Sequence, residues 1–300
     1  MSARRRSSTA RAGLLALTFL CACAGAPRQP SSEARVVPLT ELPAAHRAAW
    51  EAWLRGSAHF ELERAHVERD PELARFVVDN LVRELVRGYE RNAFARPGGE
   101  PGRFERAQAD LVAFADASSP VLAELLRAPD GVVAFLCADR LVAIGARAVP
   151  HVTPLLSDAR PETRRKAAEL LGRLPHAGAA EVAVQEALAQ RAEHDPEWPV
   201  RAEAARALGA RGRAHTHRGY AMGVLLRVVR DPDRTVAASA AEGLALLGEQ
   251  RAIPRLAAEM ERAAGRGEPA VVSAIERALR TLAGDGKRRS AAEWRAYSPP

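Results

Sequence analysis

Apolar residues recur along most of this chain at intervals of three and four, the spacing that lines one face of an α-helix. PAAHRAAWEAWL places His46, Trp50 and Trp53 at helical spacing. A second helix is predicted to open at Asp70-Pro71 and to run through LARFVVDNLVRELVRGY, with a stripe of Leu73, Phe76, Val77, Leu81 and Leu85. The segment ARPGGEPG at 95–102 interrupts the pattern, and FERAQADLVAFA resumes it. Residues 40–116 therefore read as an N-terminal helical region, expected to cap the helices C-terminal to it; a degenerate repeat pair is the alternative. Trp50 and Trp53 are assigned to its core in preference to a ligand-stacking role.

From there on one phrase recurs: DARPETRRKAAELLG at 158–172, DPEWPVRAEAARALG at 195–209 and DPDRTVAASAAEGLALLG at 231–248. Aligned on Arg164, Arg201 and Ala237, each copy has an Asp six residues earlier (Asp158, Asp195, Asp231). Each has an Ala pair three and four residues later (Ala167-Ala168, Ala204-Ala205, Ala240-Ala241), then Leu171, Leu208 or Leu244. Weaker copies fit at Ala134, with Leu141 and Ile144-Gly145, and at Val271, with Ala274-Ile275. The five reference positions are 30, 37, 36 and 34 residues apart, the range of repeats built from helix pairs.

The phrase has a physical reading. The Asp is expected to cap the helix through free backbone N–H groups. Pro196 and Pro232, directly after it, are expected at the first helical position, where a missing N–H costs nothing. The Ala pair and Leu share one face, and Ala lets a neighbouring helix come close. Each Arg is expected to pair with its own Asp across the turn, Asp158 with Arg164 and Asp195 with Arg201; at Ala237 that pair is absent. Companion helices are expected between these, RAVPHVTPLLS at 147–157 and RAIPRLAAEM at 251–260. Neither helix of a pair can bury its face alone, so the units must stack into a solenoid.

These phrases, VRAEAARALG at 200–209 above all and RRKAAELLG at 164–172 next, resemble the HEAT-like repeats first named from phycobilin lyases. The resemblance covers about 118–284 and departs from the pattern at Ala237 and at the Val271 copy. It implies an all-α fold: an α-solenoid of about five helix pairs over 117–284, behind the N-terminal cap. The tail 285–300 contains GDGKRRS and AAEWRAYSPP. There Trp294 is expected to fold a short helix back as a closing cap, with Lys287-Arg288-Arg289 in a solvated loop or touching anionic lipid.

The start of the chain is of another kind. MSARRRSSTARAGLLALTFLCAC sets four arginines before an apolar run from Ala12 to Ala22, too short for a permanent membrane helix and of the form of a secretory signal. Leu20-Cys21-Ala22-Cys23 resembles a bacterial lipobox. That resemblance implies removal of 1–22 and acylation of Cys23, which would hold the protein on a membrane without crossing it. An ordinary signal cut near Ala26 is the alternative. Arg4-Arg5-Arg6 fits a twin-arginine signal poorly, since Ser7 and Ser8 follow. Ala24, in place of an Asp after the cysteine, favours a cell-envelope lipoprotein at the outer membrane, facing the periplasm. Residues 23–39, rich in Pro, Ser and Ala, read as a flexible tether.

Charge and chemistry narrow the function further. There are 44 Lys and Arg against 37 Asp and Glu, a net +7. Arg4, Arg5, Arg6 and Arg11 lie in the expected signal; 44 less those four is 40, so the mature chain is near +3. The arginines are scattered, without the clustered excess that a nucleic-acid footprint needs. Cys137, the one cysteine besides Cys21 and Cys23, falls on the apolar face of a helix and reads as a buried thiol. No G-x-S-x-G or H-E-x-x-H occurs, and no His precedes Glu. The deoxyhypusine hydroxylase branch of these repeats, by resemblance, sets His-Glu pairs at a di-iron site, so that activity is not implied here. Nor is bilin-lyase chemistry, since an exported lipoprotein would not meet nascent phycobiliproteins. Gly265-x-Gly267-x-x-Ala270 follows a helix instead of a strand and is rejected as a dinucleotide fingerprint. Gly286-Lys287 lacks the earlier glycine of a P-loop. His215-Thr216-His217 offers two ligands without a third.

No catalytic residue, metal or cofactor is therefore expected. A solenoid instead offers a concave face lined by the second helix of each pair. Off the buried side of those helices lie Arg165, Glu169, Arg173, Glu203, Arg206, Glu242 and Glu276. Their mixed signs suit a protein partner better than DNA. The expected function is a membrane-anchored scaffold or adaptor in the cell envelope, with an unidentified protein partner. A metal- or ligand-dependent module of the same repeat class and a polyanion- or nucleic-acid-binding solenoid are the alternatives.

Overall fold

The computed structural model describes residues 39–91, 101–213, 217–284 and 286–297. The expected signal, Cys23, most of the tether, and His215 and Thr216 lie outside them. The chain divides into two units, Met1–Leu42 and Pro43–Pro300. Of the first, the described part is the 3-10 turn Leu39–Glu41. The other described elements all belong to the second.

Its N-terminal helices are α1 (Ala44–Arg55), α2 (Ser57–Arg69), α3 (Pro71–Glu90) and α4 (Arg103–Ala113). Asp70 caps α3 by accepting from the amides of Glu72 and Leu73, with Pro71 at its first position. Leu73, Val77, Leu81 and Leu85 are buried as the stripe requires, while Phe76 stays half-buried against the His46 ring at 4.7 Å. Trp50 and Trp53 are both buried and stack at 4.7 Å between centroids, in agreement with the core assignment. The Trp53 Nε1 donates to Asp110 at 2.7 Å, and the Arg106 guanidinium lies 4.8 Å from the Trp53 ring. Burial pushes the Asp110 carboxyl up, against the pull of the Trp53 N–H and of Arg64 and Arg106. Helix α3 packs on α4, α5 and α6, so one continuous core runs from this region into the repeats.

The repeats are built as pairs. The first helices are α5 (Ala115–Leu125), the short α7 (Val149–Val152) with its flanking 3-10 turns, α9 (Glu181–His194), α11 (Arg218–Val228) and α13 (Ile253–Gly265). The second helices are α6 (Gly131–Ile144), α8 (Pro161–Arg173), α10 (Trp198–Gly212), α12 (Arg234–Leu247) and α14 (Pro269–Ala283). Second helices stack on one another, α8 on α10, α10 on α12, α12 on α14. The Ala pairs and the Leu of each phrase are completely or almost completely buried. Helix α15 (Ala291–Arg295) lies on α13, held by a Ser290–Glu293 capping box, with Trp294 fully buried. Among the described residues no helix is long and apolar enough to cross a membrane.

Small residues set the spacing of the second-helix layer. A Cβ on Gly172 would come 3.1 Å from the Ala207 Cα, and one on Gly243 would sit 2.6 Å from the Ala205 carbonyl oxygen. Gly209 faces the Gly243 carbonyl even more closely. The backbones of α8, α10 and α12 thus approach to contact.

Three sequence expectations are corrected. The helices of the repeat phrase begin at residues 161, 198 and 234, three residues after their Asp. Asp158, Asp195 and Asp231 instead close turns by accepting from the amides two residues on, at Arg160, Glu197 and Asp233. Pro196 and Pro232 consequently stand in the turn, and the prolines in the first helical turn are Pro161 and Pro199. The companion segment at 147–157 is not one helix; α7 gives way at Thr153 to a 3-10 turn containing Pro154, which lacks the donor that an α-helix would need there.

The third correction concerns the charge pairs. Arg164 does not pair with the carboxylate of Asp158, nor Arg201 with that of Asp195. Arg164 binds Asp195 of the next unit through Nε at 2.7 Å and Nη2 at 2.9 Å, and its Nη1 donates to the Asp158 and Ala159 carbonyls. Arg201 does the same with Asp231, at 2.8 and 3.1 Å, while its Nη1 reaches the Asp195 and Pro196 carbonyls. The reason is the turn: the Asp side chain is already committed to it, facing the preceding unit, so its own unit offers the Arg only carbonyl oxygens. The planar fork of Arg suits both targets at once. Asp158 is taken by Arg127 at 2.6 Å. Ala237 ends the series, as expected, and Arg230 with Glu259 substitutes across the next pair.

Burial alone pushes the Asp195 and Asp158 carboxyls up, but the guanidinium and amide contacts outweigh it and hold both below the ordinary carboxylate value. A carboxyl lowered by folding stabilises the fold above its unfolded pKa. That contribution is lost as pH falls through the lowered folded value. Urea midpoints measured down an acid series are therefore expected to drop below the ordinary Asp range in the parent. In Asp195→Asn the drop should be shallower; an equal slope would show the pair to be silent.

Candidate interaction surface on the second helices

The seven residues expected on the concave face divide six to one. Arg165, Glu169 and Arg173 lie on α8, Glu203 and Arg206 on α10, and Glu242 on α12. All six are half-buried or exposed on adjoining helices. Glu169 stands between Arg165 at 3.7 Å and Arg173 at 3.9 Å. Arg206 spans two helices, with Nη1 2.9 Å from Glu203 and Nε 2.8 Å from Glu242. Burial pushes the Glu203 carboxyl up, Arg206 and Arg165 pull it back, and the nearby Glu169 adds to the rise. Glu276 stands apart: it is on α14 beside Arg288 of the tail, at 3.4 Å, and does not line the groove between α12 and α14.

That groove, of about 470 Å³, was not legible in the charge pattern. Ala245, Leu246, Ala274 and Ala278 make its floor, with Arg213, Arg277 and Glu242 on its rim. Leu246, in the last turn of α12, is 45 % exposed at this groove. At the other end of the layer Phe135 of α6 is 61 % exposed and meets Tyr89 of α3 at 6.5 Å. The second-helix layer thus combines exposed apolar groups at both ends with a charge network in the middle. A sequence signal existed for both anchors, since Leu246 and Phe135 fall off the buried stripe of their helices.

Cys137 is fully buried, and burial pushes its thiol up to about 12. Native protein is expected to leave Cys137 unalkylated by iodoacetamide at pH 8 and to yield it only on denaturation. Rapid native alkylation, read by mass spectrometry, would contradict a buried thiol. Among the described residues no three His, Cys, Asp or Glu side chains are placed to hold a metal ion; His217 is described, His215 is not.

The most enclosed polar contact was missed in the sequence altogether. Glu181, at the start of α9, is fully buried with Arg211 of α10, whose Nε donates to it at 2.8 Å. The same guanidinium donates to the carbonyls of Leu171 (2.5 Å), Leu174 (3.1 Å) and Pro175 (3.3 Å). Burial raises the Glu181 carboxyl, and Arg211 with the Ala177 amide more than reverses this. It joins the two helices of one pair and, through the carbonyls, the end of α8 in the pair before, with the half-buried His176 Nδ1 also 3.3 Å from Glu181.

No curated protein matches the chain. Residues 185–280, which run from α9 into α14, match the family model described as HEAT repeats, and the fold is an all-α, HEAT-like solenoid.

Proposed function

We propose that this protein is a non-catalytic scaffold that captures a protein partner on its second-helix layer and is held at the cell envelope by an acylated Cys23. What supports the capture surface most is the coincidence, on one face, of an exposed apolar groove at Leu246, the exposed Phe135 and Tyr89, and a network of both charge signs centred on Arg206. Apolar anchors surrounded by polar groups are the usual anatomy of a protein interface. The lipobox-like Leu20-Cys21-Ala22-Cys23 and the tether after it support the anchoring. The partner is a protein; no nucleic acid, metal or cofactor enters this reading.

The test is in-cell crosslinking of the full-length protein with mass spectrometry of what co-purifies from membranes, in the parent, in Cys23→Ala and in Arg165→Glu/Arg206→Glu. The double reversal touches only exposed or half-buried groups, whose ion pairs contribute roughly 0–1 kcal/mol each. The expected result is a reproducible partner that is lost in both variants while the circular dichroism spectrum stays helical. Capture that survives the double reversal would remove the second-helix layer from the reading. A protein found only in the soluble fraction would remove the anchor.

A further inference from the structure

Scattered along the sequence, four arginines are gathered by the fold around one pocket in the first-helix layer. Arg227 and Arg230 come from the end of α11 and the turn after it, Arg255 and Arg262 from α13, and they line a pocket of about 370 Å³. Two carboxylates serve the four cations. Glu193 of α9 takes the Nε of Arg227 at 2.6 Å. Glu259 takes the Nε and Nη2 of Arg230 at 2.9 and 2.6 Å, and also an Nη of Arg262.

Glu259 is only 5 % exposed. It is a buried anchor that orients two guanidinium forks and leaves their outer N–H groups to the pocket. Arg255 has no carboxylate partner among the described residues. Gly223 and Ala258 line the pocket without adding charge.

We propose that this pocket binds a phosphate monoester group. Four guanidinium groups against two carboxylates leave two positive charges uncompensated, the charge of a phosphate monoester with its sign reversed. Guanidinium groups bind phosphate oxygens through paired N–H groups. The pocket is large enough to hold one such group. The pocket is separate from the second-helix face, so it stands whether or not that face binds a protein. The same chemistry is offered by a soluble phosphate ester and by a phosphatidate headgroup at a membrane surface.

The experiment uses the full chain carrying Cys23→Ala, so that acylation plays no part. Glycerol 3-phosphate is titrated calorimetrically against a sodium chloride blank of equal ionic strength. Sedimentation is measured with phosphatidylcholine vesicles, with and without phosphatidic acid. Arg255→Glu is compared with the same background and with Arg213→Glu, which makes the same change of charge at the end of α10. Arg255 is exposed and unpaired among the described residues, so its reversal is expected to leave the melting temperature unchanged.

Saturable binding of glycerol 3-phosphate, weakened about tenfold or more by Arg255→Glu, as expected for loss of one charged hydrogen-bonding group, and unaffected by Arg213→Glu, would establish the site. An Arg255-dependent gain on phosphatidic acid vesicles would assign it to a headgroup. Binding of the ester with no such gain would assign it to a soluble phosphate. No saturable binding, or equal loss in both variants, would overturn the proposal, because it would leave only the general charge of the surface.

Discussion

Arg211→Met is expected to destabilise the protein by about 3–5 kcal/mol, the usual cost of removing one partner from a buried ion pair. The side chain of Arg211 is 2 % exposed and that of Glu181 is 0 %. Methionine fills much of the volume of the arginine stem, so the loss isolates the polar contacts. Without the guanidinium, Glu181 is left as a buried carboxylate whose remaining neighbours are the Ala177 amide, Gln185 and the His176 imidazole, with Nδ1 at 3.3 Å. The carbonyls of Leu171 and Leu174 also lose their donor. Urea unfolding followed by circular dichroism, with an unchanged slope, measures the loss.

The double variant Arg211→Met/Glu181→Leu supplies the control. Replacing both charges by apolar groups is often close to neutral where removing one is not. Most of the lost stability is therefore expected to return. A single variant within about 1 kcal/mol of the parent, the upper range for a surface pair, would mean that water reaches the pair. A double variant no better than the single would mean that the carbonyl contacts, and not the unpaired Glu181, carry the cost.

The second large effect is expected at a glycine. Gly243→Ala should lower stability by about 2 kcal/mol net, a melting decrease of roughly 4–8 °C for a protein of this size. The added methyl would stand 2.6 Å from the Ala205 carbonyl oxygen, a backbone atom that no rotamer change can move. The helix-propensity gain of Ala over Gly, about 1 kcal/mol, opposes this and is already counted in the net figure. Gly223→Ala provides the contrast. It also lies within a helix, but its added Cβ would meet nothing nearer than the tip of Arg227, at 3.8 Å. It should therefore be stabilising by up to about 1 kcal/mol. If both variants melt alike, the spacing of α10 and α12 is not set by Gly243.

These two sites explain which parts of the molecule were legible in advance. The repeat phrase, its helical periodicity and the burial of its Ala pairs and Leu were readable because they are local: a period of three and four fixes a face, and a solenoid buries the same face in each unit. The in-register Asp and Arg were found as columns, but their pairing was assigned within the unit when it runs between units. Sequence spacings of six residues and of about thirty are both available to an arginine, and only the turn geometry decides between them.

The candidate surface was legible only in part. Arg165, Glu169, Arg173, Glu203, Arg206 and Glu242 could be placed on one layer because each lies off a buried helical stripe. Glu276 has the same local signature, and its helix turns it toward the tail. The Leu246 groove and the four-arginine pocket require knowing how far apart neighbouring helices stand, and no periodicity carries that.

The sequence by itself determined the helices, their pairing into repeats, the buried face of each and the mixed charge of what remains, since all of these come from residue spacing along one chain. Only the tertiary structure decided that Arg164 and Arg201 reach forward to the next unit, that Arg211 is sealed against Glu181, and that arginines up to thirty-five positions apart share one pocket. Those outcomes depend on the distance and rotation between stacked helices, which are set by whether backbone meets backbone, as at Gly243, or is held off by a side chain.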